Sequence, residues 1–330
     1  MNDFEQNKAN MIAYLQKGCK SRDIPLRFGV ELEHFIVKKD TKKAISYYGK
    51  RGVEAILNEL ACFYTGRDYS QNHLIALQRE DITISLEPAA QLEVSISPQS
   101  KPEIIEEIYD RFQKEIDPIL QRYGYCMVTE GYQPCSKAEE LDLIPKQRYR
   151  FMDTYFDKIG PYGKQMMRGT ASAQVSIDYY SEEDFRQKYQ KLYQANDTLA
   201  ERFANTHTYE QKVWECGLLR KKIWENTDKR RYDVEPFMKK GTLSFSDYID
   251  FVMQAPIIVN RQNGEDYYDE RTIGEICSKR ILTQDEFVHA MSMVFPMIRA
   301  KQFLEIRYAD SMPISDLLKY IEEIKKIIES

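Results

Sequence analysis

No Gly-x-x-x-x-Gly-Lys-Ser/Thr loop, no Gly-x-Gly-x-x-Gly fingerprint and no Gly-x-Ser-x-Gly elbow occurs in the 330 residues. Phosphate-cradling P-loops, dinucleotide-binding turns and the nucleophile of α/β-hydrolases are therefore without support. Cysteine is sparse: Cys19, Cys62, Cys126, Cys135, Cys216 and Cys277 lie far apart, with no Cys-x-x-Cys pair. That spacing fits neither a disulfide scaffold nor a zinc site, and it predicts separate reduced thiols in a cytoplasmic protein. His34, His73, His207 and His289 are equally scattered and read as packed or surface residues rather than ligands. No apolar stretch approaches the roughly 20 residues of a membrane span. The longest, from Phe251 to Val259, is interrupted by Gln254 and Pro256. The opening Met1-Asn2-Asp3-Phe4-Glu5 is polar and acidic, with no signal-peptide core behind it. A net charge of -5 argues against non-specific nucleic-acid binding, which rests on Lys and Arg neutralising phosphates. Nothing in the pattern sets an oligomeric state.

What is present is an ordinary globular composition, 42% hydrophobic and 30% charged, without repeats, low-complexity tracts or linkers. One catalytic domain over residues 1–330 is the expected organisation. Val53, Ile56, Leu57 and Leu60 follow the spacing of an amphipathic helix, as do Ile104, Ile105, Ile108, Tyr109, Phe112 and Ile116. Pro118 is expected to end or kink the second of these. Ser181 to Phe203 reads as a long surface helix, Thr283-Gln-Asp-Glu286 as a capping box, and Ser315 as the cap of the last helix.

The strand candidates share a peculiarity. Phe28, Val30, Leu32 and Ile36 fall on one face of their segment, and Glu31 and Glu33 on the other, as a side-chain period of two requires. Ile82, Ile84 and Leu86 oppose Thr83, Ser85 and Glu87; Leu92, Val94 and Ile96 oppose Gln91, Glu93 and Ser95. Val175 and Ile177 oppose Gln174, Ser176 and Asp178, while Leu304 and Ile306 oppose Glu305 and Arg307. Such clean alternation belongs to an antiparallel or mixed sheet with one open face, so the expected fold class is α+β, with helices on the apolar side.

If these strands are neighbours, Glu31, Glu33, Glu87, Glu93 and Glu305 share one concave surface. Two carboxylates about 5 Å apart repel by roughly 3 kcal/mol at an effective dielectric near 20. One arginine cannot neutralise all of them. The cluster must take up protons or bind a hard divalent cation, for which Gln174 supplies a further oxygen donor. Arg148-Tyr-Arg-Phe-Met152 and Met166-Met-Arg168 combine cations with bulky apolar groups and could grip an anion or simply pack. Arg220, Arg230 and Arg231 flank Ile223-Trp224-Glu-Asn-Thr227-Asp228, where a solvated basic helix end is the ordinary reading.

In order along the chain stand Gly29-Val-Glu-Leu-Glu33, Ser85-Leu-Glu-Pro-Ala-Ala-Gln-Leu-Glu-Val-Ser95, Arg148-Tyr-x-x-Met152 and Met166-Met-x-x-Thr-Ala-Ser-Ala-Gln-Val-Ser-Ile-Asp178. Phe203-Ala-Asn205, Arg220-x-x-Ile-Trp224-x-x-Thr-Asp228 and Phe303-Leu-Glu-Ile-Arg-Tyr-Ala-Asp310 follow. From about residue 27 to residue 313 the chain resembles the glutamate–cysteine ligases of plant and bacterial type. The resemblance implies a glutamine-synthetase-like catalytic fold, an antiparallel funnel for ATP, Mg²⁺ (or Mn²⁺) and glutamate. It implies Glu31, Glu33, Glu87, Glu93, Gln174 and Glu305 as metal ligands, with Glu305 and Arg307 catalytic and Arg307 near the transferred phosphoryl group. Arg148, Met152, Arg168, Arg220 and Arg231 become candidates for binding substrate or ATP. The implied reaction joins the γ-carboxylate of glutamate to an amine such as cysteine through an acyl phosphate. A ligase for a different amine and a non-catalytic nucleotide-binding relative are the competing readings. Three departures stand out. Ala89-Ala90 replaces a usual Gly-Gly and should reshape that turn, because alanine avoids positive φ. Gly169 stands where plant members carry arginine, and Arg231-Tyr-Asp233 where the family tends towards Arg-Thr-Gly.

Overall fold

The computed structural model describes residues 2–330. Among the described residues thirteen strands appear in chain order. They are β1 (Phe28–Lys38), β2 (Gly66–Ser70), β3 (His73–Arg79), β4 (Ile82–Leu86), β5 (Leu92–Gln99), β6 (Tyr125–Val128) and β7 (Ser172–Ile177). Then come β8 (Thr208–Tyr209), β9 (Lys212–Val213), β10 (Pro256–Gln262), β11 (Glu265–Thr272), β12 (Ile298–Ala300) and β13 (Leu304–Asp310). The helices are α1 (Asp3–Gln16), α2 (Val53–Leu60), α3 (Pro102–Tyr123), α4 (Gln147–Phe156), α5 (Glu182–Arg202) and α6 (Leu219–Glu225). They continue with α7 (Lys229–Tyr232), α8 (Phe245–Gln254), α9 (Ile273–Cys277), α10 (Gln284–Met291) and α11 (Ile314–Glu329).

One sheet organises the molecule. Its order is β12-β13-β7-β1-β5-β4-β3-β2, with β6 also pairing with β1, and every pairing is antiparallel. The register aligns the alternation across strands. Val30, Leu32, Ile84, Val94, Ile96, Val175, Ile177, Leu304 and Ile306 are all buried beneath the helices, where α3 packs on β5 and α5 on β13. The opposite pleat carries the polar set: Glu31 lies across from Gln174 and Ser95, Glu33 from Glu93, and Glu93 from Ser85. The antiparallel sheet of an α+β fold is what the alternation predicted, but α4 and α6 also border its open face.

Several local expectations need correction. Helix α3 does not end at Pro118 but continues to Tyr123 and stops at Gly124, whose φ of 74° forms the left-handed cap that glycine supplies without strain. The last helix begins at Ile314 with Pro313 at its cap position and no side-chain cap, so Ser315 lies inside it. Helix α5 is less a surface helix than an amphipathic one, burying Phe185, Tyr189, Leu192 and Leu199. The Thr283 capping box does form, with both reciprocal bonds to Glu286.

Candidate active-site cleft

The open face of β1, β5 and β7 floors a cleft of about 290 Å³. Glu31, Glu33, Glu87, Glu93, Gln174, Arg148, Met152, Arg220 and Arg307 all line it, so residues spread over 277 positions of chain meet in one place. Lys146, Arg299, Trp224 and Phe295 line it too. A larger cleft of about 490 Å³ beside α5, α6 and α7 does not include the sheet carboxylates. The chemistry therefore belongs to the smaller one.

The carboxylates divide into two kinds. Glu33 is tied down: the Ser172 N–H donates to it at 2.7 Å, the Ser172 hydroxyl at 2.9 Å and the Gln174 amide at 3.1 Å. Glu305 is wholly buried and held by Arg299 at 2.6 Å, Lys301 at 2.5 Å and Arg307 at 3.0 Å. Burial alone would raise its pKa, but these cations hold it well below the usual carboxylate range. Among the described residues Glu31, Glu87 and Glu93 have no ion-pair partner, whereas Glu305 has three. Burial, then Glu305 and Glu93, push Glu31 up to about 7. Burial and Glu33 push Glu87 to about 7; burial, Glu87 and Glu33 push Glu93 to about 8. The direct cross-strand pairing of Glu33 with Glu93 puts like charges about 5 Å apart at Cβ, which is unfavourable unless a proton or cation intervenes.

The cation supply was underestimated from the sequence. Lys146, Arg148, Arg220, Arg299 and Arg307 surround the cleft, so more than one arginine offsets its negative charge. Arg299 and Lys301 were invisible as site residues because the pattern gave no reason to place β12 beside Glu305. Lys146 was missed because nothing in the sequence marks it as buried in a cleft.

Several expected ligands stand elsewhere or are otherwise engaged. Glu305 does not line the cleft; its oxygens anchor Arg299 and Arg307. The Gln174 oxygen accepts from Arg307 at 2.5 Å, which fixes that guanidinium over the cleft. Arg231 does not line the cleft. It is 1% exposed, bonds Asp228 at 3.0 Å and donates to the carbonyls of Met293 and Pro256, so it knits α7 to β10 and to the turn after α10. The expected solvated basic end is instead a buried structural ion pair. Arg168 likewise faces away from the cleft in a two-pronged pair with Asp153, at 2.6 Å to each oxygen. Arg220 reaches the cleft while donating to the carbonyls of Tyr308 and Ala309.

Two sequence departures have physical explanations. Ala90 does adopt positive φ, at 63°, in a tight turn closed between Glu87 and Gln91. The left-handed conformation costs an alanine roughly 1–2 kcal/mol, offset here by the buried methyl group. At Gly169 a Cβ would sit 2.5 Å from the Tyr132 ring, so no side chain is admissible there.

The class that fold and cleft define is an α+β protein whose antiparallel sheet presents interleaved carboxylates and guanidiniums to a small cleft. The chain belongs to glutamate-cysteine ligase family 2, whose family model matches residues 27–321. It is 29% identical over 321 residues to glutamate–cysteine ligase A, chloroplastic, of Oryza sativa subsp. japonica, covering 93% of this chain and 63% of that one. To the chloroplastic glutamate–cysteine ligase of Arabidopsis thaliana it is 28% identical over 320 residues, 93% of this chain and 60% of that one. The chain thus spans under two thirds of these relatives' length. A bifunctional glutathione synthetase from Pasteurella multocida aligns over 98% of this chain and 41% of its own, with 16% identity and a TM-score of 0.40.

Proposed function

We propose that this protein is an ATP-dependent ligase joining the γ-carboxylate of glutamate to the amine of a second small molecule, cysteine foremost, with release of ADP and phosphate. The observation that carries this is the cleft in which uncompensated Glu31, Glu87 and Glu93 face Arg307, in a chain of this family. A carboxylate is a poor acylating agent, so its oxygen attacks the γ-phosphorus of ATP first, and the amine then displaces phosphate from the acyl phosphate. Arg307, held by Glu305 and Gln174, is oriented to meet charge growing on the transferred phosphoryl oxygens. Glu305 acts here by fixing Arg307 and Arg299, not as an open metal ligand. The donor set suits a hard divalent cation, Mg²⁺ or Mn²⁺: Glu31, Glu87 and Glu93 foremost, with Glu33 and Gln174 beside them. Among the described residues no three acidic, histidine or cysteine side chains already converge on one point. Mg²⁺ ordinarily takes one or two carboxylates and completes its shell with water and phosphate oxygens, so that arrangement is compatible. Such a cation would neutralise phosphate charge.

The glutamine-synthetase-like funnel is part of this reading, supported by the open antiparallel face. So is a single catalytic unit, supported by the packing of α1 on α8 and α10 and of α11 on α3 and α5. A reducing compartment such as the cytoplasm suits the free cysteines, and no helix among the described residues is long and apolar enough to cross a membrane.

Incubation with ATP, Mg²⁺, glutamate and a panel of amines, read by mass spectrometry, tests the proposal. A γ-glutamyl amide and ADP are expected in equal amounts, vanishing with excess chelator and returning with Mg²⁺ or Mn²⁺. Stoichiometric AMP, or full turnover in chelator, would contradict it.

A further inference from the structure

The cavity of about 490 Å³ beside α5, α6 and α7 is larger than the catalytic cleft and takes no part in the proposed reaction. Helix α6 is the partition between the two. Arg220 and Trp224 line the cleft, while their chain neighbours Lys221 and Glu225 line the cavity. Four carboxylates border the cavity, those of Asp197, Glu225, Asp233 and Glu235, against the two lysines Lys221 and Lys229. Lys221 is committed to Asp197, with Glu225 3.7 Å away. Lys229 is exposed, so water and salt screen its charge. Asp233 and Glu235 have no ion-pair partner among the described residues, and the Asp233 Oδ1 accepts the Glu235 backbone N–H at 3.0 Å. The four carboxylates act on one spot: burial, then Glu235, Asp233, Asp197 and Glu225, raise the pKa of the Tyr193 phenol on the cavity wall.

A second observation is independent of that charge. Asn196 lines the cavity and is 9% exposed. Its amide nitrogen donates to Asp197 and to the Met297 sulfur, but its Oδ1 is buried with no partner. The Tyr232 hydroxyl, also on this wall, is likewise buried and unpartnered, and its ring stacks 6.5 Å from that of Trp224. The buried atoms left unsatisfied are thus an amide oxygen, which accepts, and a phenol, which can. Their missing partner is a donor, and the surrounding carboxylates make it a cation.

We infer that this cavity is a second ligand site, for a small aliphatic diammonium ion. The charge count matches, since four carboxylates against two lysines leave two negative charges to be met. That charge is spread round the wall, with no three acidic groups converging on one point, which suits two separated ammonium groups better than a bare metal ion. Each ammonium brings three N–H donors, enough to reach a carboxylate and the Asn196 oxygen together. The Tyr193 and Tyr232 rings offer faces for an ammonium or for the methylene chain between the two. The site stands across α6 from the catalytic cleft, and the inference does not rest on the ligase reading.

Calorimetry on the full chain, free of metal and nucleotide, with 1,4-diaminobutane as the probe tests this. Saturable one-to-one binding is expected, with n-butylamine (the same carbon chain with one ammonium) weaker by about 10-fold or more. Asp233→Asn combined with Glu235→Gln should weaken the diamine by about 10-fold or more, and Asn196→Ala by about 3-fold or more. Glu93→Gln alters the acidic catalytic cleft instead and should change diamine binding by less than about 2-fold. The inference is overturned if the diamine does not bind, or if n-butylamine binds as tightly. It is also overturned if Glu93→Gln weakens the diamine while the Asp233/Glu235 variant does not, which would put the ligand in the cleft. Positions 233 and 235 lie outside the core, and asparagine keeps an oxygen for the Glu235 N–H, so the double variant decides the matter should Asn196→Ala fail to fold.

Discussion

Arg307→Lys is expected to lower the rate of glutamate-dependent ADP formation by roughly 10²-fold or more, the loss typical of removing one transition-state donor. The substitution keeps the charge but not the planar fork. In the structure one nitrogen of that fork, Nη1, donates both to Gln174 at 2.5 Å and to Glu305 at 3.0 Å, and the others have no protein acceptor among the described residues. A lysine ammonium placed on the same two acceptors has no second nitrogen to present to a phosphoryl group. The effect should fall mainly on kcat, since the interaction strengthens as negative charge develops on the phosphoryl oxygens. The melting temperature should move little, because Glu305 retains Arg299 and Lys301. Steady-state rates and thermal unfolding on the same preparation check both halves. A variant with near-normal kcat would remove Arg307 from the reaction.

Glu93→Gln should split stability from activity in opposite directions. Burial and its neighbours Glu87 and Glu33 raise the Glu93 pKa from an ordinary 4.5 to about 8. Between those values the folded protein holds a proton that the unfolded chain has released. The stabilisation associated with the protonated cluster is therefore complete below about 4.5 and is lost as pH rises towards 8. Glu31 and Glu87, raised to about 7, act in the same sense. His34 works the other way: buried and lowered from 6.5 to about 4, it contributes stability above 6.5 that is lost on acidification. The carboxylate effect is thus isolated between about pH 6.5 and 8, where the metal-free protein should lose stability as pH rises. Glu93→Gln removes one charge while keeping an oxygen that can accept from the Ser85 hydroxyl, now 2.8 Å from the carboxylate. At pH 8 without metal it should be more stable than wild type by on the order of 1–3 kcal/mol, since each shifted pKa unit is worth about 1.4 kcal/mol. Ligation should meanwhile fall steeply. Denaturant melts at pH 6.5 and 8 with parallel assays decide it: equal stability at both pH values in both proteins would show that Glu93 is not strained by its neighbours.

The sheet was legible in the sequence because a period of two, repeated in separate segments, marks both a buried and an open face. Glu31, Glu33, Glu87, Glu93, Gln174 and Arg307 follow from that pattern, and the structure brings them to one cleft. The strands missed were β2, β3, β6, β12 and the β8–β9 and β10–β11 hairpins, whose short or mixed runs carry no such contrast. That gap matters at β12. Without it Glu305 looked like one more exposed carboxylate, whereas pairing with Arg299 makes it a fully buried hub. Arg231 and Arg168 show the converse error. A charged side chain in a polar stretch reads as solvated or ligand-facing, yet Asp228 and Asp153 satisfy both internally. Lone cations can be assigned only once their acceptors are located, and that information is tertiary. Pro118 teaches something smaller: one proline inside a long amphipathic helix does not end it, and α3 runs on to Tyr123.

The central claim is that a carboxylate oxygen attacks the γ-phosphorus of ATP. Glutamate labelled with ¹⁸O in its γ-carboxylate, incubated with ATP, Mg²⁺ and the acceptor amine, tests it most directly, with phosphate and nucleotide analysed by mass spectrometry. An acyl phosphate leaves its bridging oxygen with phosphate when the amine attacks carbon. One ¹⁸O per inorganic phosphate is predicted, with none in the nucleotide. Label appearing in AMP, or unlabelled phosphate beside a correctly formed amide, would contradict the account.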